Sequence, residues 1–226
     1  MRAVGVGLPG IPEVRGDDVK IISVPDSGLV YSSNVYLVLG EWKRIEDINT
    51  LVDVGSDPAT LDQLEQIHTG VGKRKVEQVV LTHCHYDHTI LLSMIRERYN
   101  PTVYAFSPYL EGVDHVLKNG QRLRMGDSEF EVIHTPGHSE DSICLFNEES
   151  GVLFVGDSPV IVRSEGGGYE EGFVQAMKNI CQRKVKEIYF GHGDPICQGA
   201  QSLLTDSLKN IRGANGRFKQ VMKEAG

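Results

Sequence analysis

The stretch Thr82-His83-Cys84-His85-Tyr86-Asp87-His88 decides the fold of this chain. Three imidazoles and one carboxylate lie within six of its residues, and these groups are ligands for zinc, iron, manganese and nickel. Alternate side chains of an extended segment project the same way, so His83 and His85 can bind one ion. Asp87 and His88 come where the chain turns into a helix, so they can point toward a second ion.

Three later segments each offer one further ligand at the end of a predicted strand. They are Thr135-Pro136-Gly137-His138-Ser139, Gly156-Asp157 and Gly191-His192-Gly193-Asp194. Their glycines let the backbone approach a neighbour closely. Each segment alone is as typical of a turn as of a binding site. In series with the first stretch, they predict one metal centre that is completed by His138, Asp157 and His192.

Around these segments the sequence shows both strand and helix patterns, which favours the α/β class. Strands are predicted over Val19–Val24, Asn34–Leu39, Leu51–Val54, Val76–Thr82, Val103–Phe106, Arg122–Met125, Glu129–His134, Ser142–Asn147, Val152–Val155 and Val185–Phe190. Helices are predicted over Pro58–Ile67, Ile90–Tyr99, Gly172–Arg183 and Gln201–Glu224. Residues 107–120 are ambiguous, and the first 18 residues, rich in Gly and Pro, are expected to be irregular.

Gly5, Gly7 and Gly10 have the spacing of the fingerprint that binds dinucleotides. That fingerprint needs a strand before it and a helix after it. Only four residues precede it here, and Pro9 and Pro12 disfavour a helix at its end. We therefore expect no nucleotide cofactor at this segment.

The sequence also contains an internal repeat. The segment from Arg74 to His83 matches the segment from Arg183 to His192 at an offset of 109 residues. Each copy comes after a helix pattern, runs along a buried strand and ends in histidine. Two such halves, related by a pseudo-twofold axis, would bring His83 and His192 to the same edge of a two-sheet core. Ligands of α/β proteins gather at such carboxyl ends of strands.

The composition restricts the function classes. The 226 residues carry 23 Lys and Arg against 31 Asp and Glu, so the net charge is -8, which disfavours a nucleic-acid partner. No apolar run reaches the ~18–20 residues of a membrane span. The four cysteines form no CxxC pair, and Met1–Val14 lacks the apolar core of a signal peptide, so reduced thiols in a cytoplasm are expected. Cys84 is expected to point away from the metal as a small buried residue.

Asp53, the motif His83–His88, His138, Asp157 and His192 together resemble the metallo-β-lactamase superfamily, in particular its glyoxalase-II-like or lactonase-like group. The resemblance runs from about residue 19 to residue 200. It implies a four-layer αββα sandwich of two similar halves with a two-metal site at one edge of the sheets. We expect a single domain over residues 1–226, with halves at about 19–120 and 121–226.

The resemblance also implies a role for each residue of the motifs. Three imidazoles would hold the first metal: His83, His85 and His138. One carboxylate and two imidazoles would hold the second: Asp87, His88 and His192. Asp157 would bridge the two ions. Asp53 would not bind an ion itself, but would orient the loop or a ligand imidazole.

The implied cofactors are two divalent metal ions, with zinc preferred and iron or manganese as alternatives. A metal-bound hydroxide would attack a small ester, thioester, lactone or similar substrate, and Asp87 and Asp157 would be the carboxylates on which catalysis depends. Two other interpretations stay open. A mononuclear iron dioxygenase acting on a persulfide uses a similar site, and a non-catalytic metal-binding protein would keep the same fold.

The chain departs from the family pattern in two places. Many members carry Gly-Gly shortly after the second histidine of the motif, where this chain has Thr89-Ile90-Leu91. The substrate-side loop therefore cannot be copied from a named subfamily. His85 stands where the flavodiiron branch has glutamate, which disfavours the reduction of oxygen or nitric oxide.

The substrate side of the site is predicted from its place in the sequence. Tyr86, Arg163 and Tyr169 are candidates to contact the substrate, and the last two flank the flexible run Gly166–Gly168. Trp42 lies where such folds often place a flap. The expected partner is a small molecule, with no nucleic acid and no membrane. The oligomeric state stays open, with a homodimer as one option.

Overall fold

The computed structural model of the protein describes residues 13–15, 19–40, 47–69, 72–164 and 168–211. Its strands, in chain order, are β1 Glu13–Arg15, β2 Lys20–Val24, β3 Val35–Leu39, β4 Thr50–Val52, β5 Gln78–Val80, β6 Thr102–Ala105, β7 His115–Val116, β8 Arg122–Met125, β9 Ser128–His134, β10 Ile143–Asn147, β11 Val152–Gly156 and β12 Glu187–Phe190. Its helices are α1 Ala59–Gln66, α2 Tyr86–Thr89, α3 Leu92–Tyr99 and α4 Glu171–Cys181, with α5 over residues 200–211 after them.

Within the described residues the strands form two mixed sheets. The first has seven strands in the order β1 to β7, antiparallel from β1 to β4 and parallel from β4 to β7. The second has five strands in the order β12-β11-β10-β9-β8, antiparallel except for the parallel pair of β11 and β12. Each sheet therefore has parallel neighbours whose carboxyl ends lie side by side.

Successive side chains of a strand point to opposite faces, and here both faces of each sheet are apolar, so three buried layers form. The layer between the sheets includes Tyr36, Val38, Phe130 and Phe154. A second layer joins α1 and α3 to the outer face of the first sheet. A third joins α4 and α5 to the outer face of the second sheet. The fold is the four-layer αββα sandwich that the resemblance predicted.

The internal repeat is visible in the topology of the two sheets. The strands β1 to β4 form an antiparallel run, α1 crosses over, and β5 joins β4 in parallel. In the same way β8 to β11 form an antiparallel run, α4 crosses over, and β12 joins β11 in parallel. His83 comes after β5 and His192 comes after β12, so the two repeated segments occupy equivalent places.

Most of the predicted elements are present with bounds shifted by one or two residues, but one helix differs in substance. Helical structure was predicted from Ile90, and it begins at Tyr86. Asp87 and His88 therefore lie inside α2, with both side chains buried. The apolar spacing missed this turn because the buried face of α2 carries polar ligand-type residues.

Two short strands were also missed. β1 pairs with β2 in a segment expected to be irregular, and β7 pairs with β6 in the ambiguous segment. Gly5–Gly10, Trp42 and the predicted helix beyond residue 211 lie outside the described residues. In the part of the chain that the structure describes, each helix is too short or too polar to cross a membrane.

Candidate metal centre

The centre is built on a buried carboxylate directly after β4. Asp53 is 2% exposed, and its φ of 57° is a conformation that costs a non-glycine residue free energy. Its Oδ1 accepts a hydrogen bond from Thr82 N at 2.7 Å. Its Oδ2 accepts from Thr82 Oγ1 at 2.8 Å and from His88 Nδ1 at 2.8 Å. One carboxylate therefore holds both the bend after β5 and the helix α2.

These contacts determine which nitrogen of two histidines faces the centre. A carboxylate accepts hydrogen bonds, so Nδ1 of His88 carries the proton directed at Asp53, and Nε2 is left for the centre. Thr82 Oγ1 already donates to Asp53, so it accepts from Nδ1 of His83 at 3.1 Å. Nε2 of His83 is likewise left for the centre.

Three imidazoles converge at the first half of the centre. His83 and His85 come from the segment between β5 and α2, and His138 comes from the turn after β9. Nδ1 of His85 lies 3.1 Å from Nε2 of His83 and 2.9 Å from Nε2 of His138. The three ligand atoms lie within 4.8 Å of one another. His83 is buried and the other two are exposed, so this cluster opens to solvent on one side.

Asp87, His88 and His192 form a second cluster of ligand atoms within 4.8 Å of one another. Nε2 of His192 lies 3.0 Å from Asp87 Oδ2, and Nε2 of His88 lies 3.8 Å from the same oxygen. The first two residues come from α2, beside the first sheet, and His192 comes after β12 of the second sheet. The cluster therefore joins the two sheets.

Asp157, directly after β11, lies between the two clusters. Its Oδ2 is 3.5 Å from Nε2 of His138, 3.5 Å from Nε2 of His192 and 3.9 Å from Nε2 of His83. Its Oδ1 is 3.3 Å from Nε2 of His88. The same side chain thus faces ligand atoms of both clusters, which is the placement expected of a bridging carboxylate.

Two buried atoms of the centre lie 3.3 Å apart but form no hydrogen bond among the described residues. They are Nε2 of His88 and Oδ1 of Asp157. Unpaired polar atoms are rare in protein interiors, because losing their contacts with water costs free energy. A divalent cation would satisfy both atoms, and imidazole with carboxylate is a donor set that suits zinc or iron. The residues therefore fit a centre for divalent ions.

Two glycines make room for this arrangement. A Cβ at Gly191 would lie 2.2 Å from Oδ1 of Asp157 and 2.6 Å from Cε1 of His88. Gly156 has a φ of 51°, and a Cβ there would lie 2.5 Å from Oγ1 of Thr82. The glycines beside the ligands thus allow close approach, as the sequence predicted.

The surroundings of the two buried histidines favour the positively charged form of His88 and the neutral form of His83. Burial would lower the pKa of His88, but the carboxylates of Asp53 and Asp157 raise it to about 10. Burial, together with the charge of His88, lowers the pKa of His83 to about 4. Burial would raise the pKa of Asp157, but its contact with His88 lowers it to about 2. A cation would thus compete with the second proton of His88.

A cavity of about 370 Å³ opens beside the centre. His138, Asp157 and His192 line one part of it. The other walls are formed mainly by the segment after Asp157 and by the end of β12, namely Gly156, Ser158, Pro159, Val160, Ile161 and Phe190. Its size falls in the range of small-molecule sites. The described lining residues include no Lys or Arg.

The three substrate-side candidates are dispersed. Tyr86 is 62% exposed, so it does not pack into the core. Arg163 is exposed, and Tyr169 stacks on Phe173 with ring centroids 5.8 Å apart. None of the three lines the described part of the cavity. Their contact with substrate stays a prediction.

Two residues of this region could not be placed from the sequence pattern. Cys84 was expected to be buried, and this is wrong, because its side chain is exposed where the chain bends between β5 and α2. Tyr31, in the loop between β2 and β3, belongs to no motif. Its ring nevertheless stacks on His192 with centroids 5.0 Å apart, and its hydroxyl lies 3.3 Å from Nε2 of that histidine.

The sequence profile described as the metallo-beta-lactamase superfamily matches residues 28–192 of the chain. This span is more than half of the chain and contains every residue of both clusters. The chain belongs to the metallo-β-lactamase superfamily. The family that the sequence motifs predicted is therefore confirmed.

Named members of the superfamily include hydrolytic enzymes. The chain is 25% identical over 201 residues to an atrochrysone carboxyl ACP thioesterase of Aspergillus fumigatus, across 82% of this chain and 60% of the relative. It is 34% identical over 111 residues to a hydroxyacylglutathione hydrolase of Pseudoalteromonas translucida, across 48% of this chain and 40% of the relative. The chain thus spans about half the length of these metallo-β-lactamase relatives.

Two solved structures share the fold. The B3 metallo-beta-lactamase BLEG-1 superposes with a TM-score of 0.60 at 22% identity, over 84% of this chain and 99% of that chain. The chemotaxis sensor ODP, solved as a peroxy diiron species, superposes with a TM-score of 0.65 at 15% identity, over 88% of this chain and 93% of that chain. At these identities the likeness establishes the fold alone.

Proposed function

We propose that the protein is a metal-dependent hydrolase that cleaves the thioester, or a related ester, of a small apolar acyl group. The observation that carries the proposal is the position of Asp157. Its carboxylate faces two adjacent clusters of ligand atoms, and it also lines a cavity large enough for a small molecule. A centre for divalent ions and a space for substrate therefore meet at one side chain.

The names of the relatives support a thioester in particular. One is a thioesterase of an acyl carrier protein, and the other hydrolyses hydroxyacylglutathione, in which the acyl group is also bound to sulfur. The two have different carriers but share the bond that is cleaved. We therefore propose that this protein also cleaves a bond between an acyl carbon and sulfur, and we do not specify the carrier of the acyl group.

Divalent ions bound at the clusters would polarise the substrate carbonyl and lower the pKa of water toward ~7. The chain's own contribution is to fix the donors before substrate arrives. Asp53 holds Nδ1 of His88, so that Nε2 is presented to the centre in one orientation. Thr82 does the same for His83. Because these side chains are buried and bonded, little reorganisation is needed during the reaction.

The cavity supports an apolar acyl group. Val160 is fully buried at its wall, and Ile161 and Phe190 are partly buried beside it. Ile161 and Phe190, which are partly exposed, offer hydrocarbon surface next to His138 and His192. An acyl chain placed there would lose its contact with water, which is favourable at roughly 25 cal/mol per Å² of apolar area.

The test is metal analysis and turnover on the same sample, purified without added metal. The proposal expects two equivalents of zinc, manganese or iron per chain and hydrolysis of short acyl thioesters such as S-hexanoyl-N-acetylcysteamine. One equivalent of iron with oxygen uptake on glutathione persulfide would instead identify a dioxygenase. Bound metal without turnover of thioesters, esters or lactones would identify a non-catalytic member.

Asp157→Ala separates a bridging role from a general effect on the fold. We expect this variant to lose one of the two equivalents and at least ~100-fold in turnover, because the carboxylate shared by both clusters is gone. Asp206→Asn, at an exposed position on α5, is the control and should keep both metal equivalents and turnover. Full metal content in Asp157→Ala would contradict the bridging assignment.

A further inference from the structure

Tyr31 lies at the rim of the metal centre, on the loop that joins β2 to β3. Its ring stacks on His192 with an interplanar angle of 19°, and its hydroxyl oxygen lies 3.3 Å from Nε2 of that histidine. The side chain is nevertheless 66% exposed. It thus touches a ligand-type residue on one side and solvent on the other, which is the position of a group that meets an incoming substrate.

The backbone around Tyr31 is held in place from two directions. Ser56 Oγ donates to the carbonyl oxygen of Tyr31 at 2.6 Å, and Ser56 N donates to Ser32 Oγ at 2.9 Å. Ser33 N donates to the carbonyl oxygen of Asp87 at 3.1 Å. The loop is therefore tied both to the turn before α1 and to α2. These bonds fix the backbone from which the Tyr31 side chain projects.

A cation in the second cluster would change the hydrogen bonding of this hydroxyl. Nε2 of His192 is one of the three ligand atoms of that cluster, 3.0 Å from Asp87 Oδ2. A ligand nitrogen uses its lone pair on the metal, so it can no longer pair with Tyr31. The O–H of Tyr31 is then free to donate to another acceptor at the same place. The nearby Tyr36 cannot take this role, because its own hydroxyl donates to the carbonyl oxygen of Phe190.

The geometry points to Tyr31 as a catalytic residue that donates a hydrogen bond to the carbonyl oxygen of the substrate. This inference rests on the proposed hydrolase function. In that reaction the oxygen of water bonds to the acyl carbon while the carbonyl π pair moves onto the carbonyl oxygen. The pair returns as the C–S bond breaks, and the thiolate that leaves takes up the proton lost by water. Tyr31 keeps its proton and stabilises the charge on the carbonyl oxygen.

The test compares Tyr31→Phe with Tyr109→Phe, which removes a hydroxyl from a side chain that is 93% exposed. Tyr31→Phe keeps the ring that stacks on His192 and removes only the donor. We expect kcat for a short acyl thioester to fall by about 10- to 100-fold, with KM changed by less than about threefold, because the donor acts on developing charge. Tyr109→Phe should match the wild type.

A second measurement is independent of turnover. Binding of n-hexylphosphonate, whose tetrahedral oxygens resemble the charged intermediate, is measured by calorimetry in the metal-loaded proteins. We expect Tyr31→Phe to bind it about tenfold more weakly at unchanged metal content. If the wild type cleaves no thioester, the proposed function fails, and phosphonate binding still decides the role of Tyr31.

Three results would overturn the assignment. The first is a Tyr31→Phe variant whose kcat and phosphonate affinity both stay within twofold of the wild type. The second is a loss of bound metal in that variant, which would make Tyr31 a support for the ion. The third is an equal loss in Tyr109→Phe.

Discussion

Replacing Asp53 by asparagine should weaken the binding of divalent metal by about 10- to 100-fold without unfolding the protein. The carboxylate accepts three hydrogen bonds, two from Thr82 and one from Nδ1 of His88. An asparagine of the same size keeps one acceptor oxygen and gains an NH₂ group. Thr82 can rotate its hydroxyl to accept from that group, but Nδ1–H of His88 cannot adapt in this way.

The size of this loss in metal affinity depends on how His88 responds to the substitution. If the amide NH₂ faces Nδ1, the imidazole must move its proton to Nε2, the atom that would bind the ion. A loss of 10- to 100-fold in affinity corresponds to about 1.4–2.8 kcal/mol. The carboxylate also holds the pKa of His88 at about 10, so at pH 8 the wild type carries a proton that metal must displace. Asp157 raises the same pKa, so Asp53→Asn should reduce the proton release on binding without abolishing it, and the weaker competition from this proton should offset part of the loss in affinity.

The assay is a calorimetric titration of metal-stripped protein with zinc at pH 8, with a competing chelator to bring the affinity into range. Repeating it in two buffers with different enthalpies of ionisation counts the protons released. Asp206→Asn is the matched control, because it neutralises an exposed carboxylate that is paired with Lys209 on α5. Circular dichroism checks that each variant is folded.

The reasoning would be refuted by an Asp53→Asn variant that binds zinc within twofold of the wild type and releases the same number of protons. Asp53 would then be a structural residue of the bend at Thr82 and would not tune His88. Weaker binding with unchanged proton release would also refute the proposed cause, since it would leave the pKa of His88 untouched.

Two further predictions concern packing and pH. Gly191→Ala should lower the free energy of unfolding by about 1–3 kcal/mol and reduce metal content, because its Cβ would lie 2.2 Å from Oδ1 of Asp157. Urea unfolding measures the first effect. Gly168→Ala is the control, because a Cβ there meets no described atom within 4 Å. The hydrogen bond from Tyr99 holds the pKa of Glu65 below its ordinary 4.5, so this carboxylate stabilises the fold above that pH and loses its effect as the pH falls through the lowered pKa. The difference in urea midpoint between wild type and Glu65→Gln should thus be present at pH 7 and shrink as the pH falls through the lowered pKa of Glu65; a difference that stays constant into acid would contradict it.

The polar side chains at strand ends could be placed from the sequence because a strand pattern also fixes where the strand stops. His83 comes after one buried apolar run and His192 comes after its repeat, so parallel pairing of each strand with its neighbour brings both to one edge. Asp157 obeys the same rule after β11. At this edge, Oδ2 of Asp157 lies 3.9 Å from Nε2 of His83 and 3.5 Å from Nε2 of His192.

Other features could not be read in this way because they depend on tertiary contacts. Helix α2 begins at Tyr86, but its buried residues are Asp87 and His88, and apolar spacing cannot detect a helical turn whose inner face is polar. Cys84 is exposed because the chain bends after β5 instead of continuing as a strand. Tyr31 reaches the centre through loop contacts with Ser56 and α2, and these contacts have no local signature in the sequence.

The division of the ligands between the two halves has an energetic consequence. The first cluster takes two imidazoles from the first half and His138 from the second, and the other takes Asp87 and His88 from the first half and His192 from the second. Neither half alone completes a cluster. A bound ion therefore interacts fully only when the two sheets are packed together, so its binding free energy adds to the stability of the sandwich, by about 4.1 kcal/mol at 1,000 times the Kd. The buried layer between the sheets and the metal centre then stabilise the same contact.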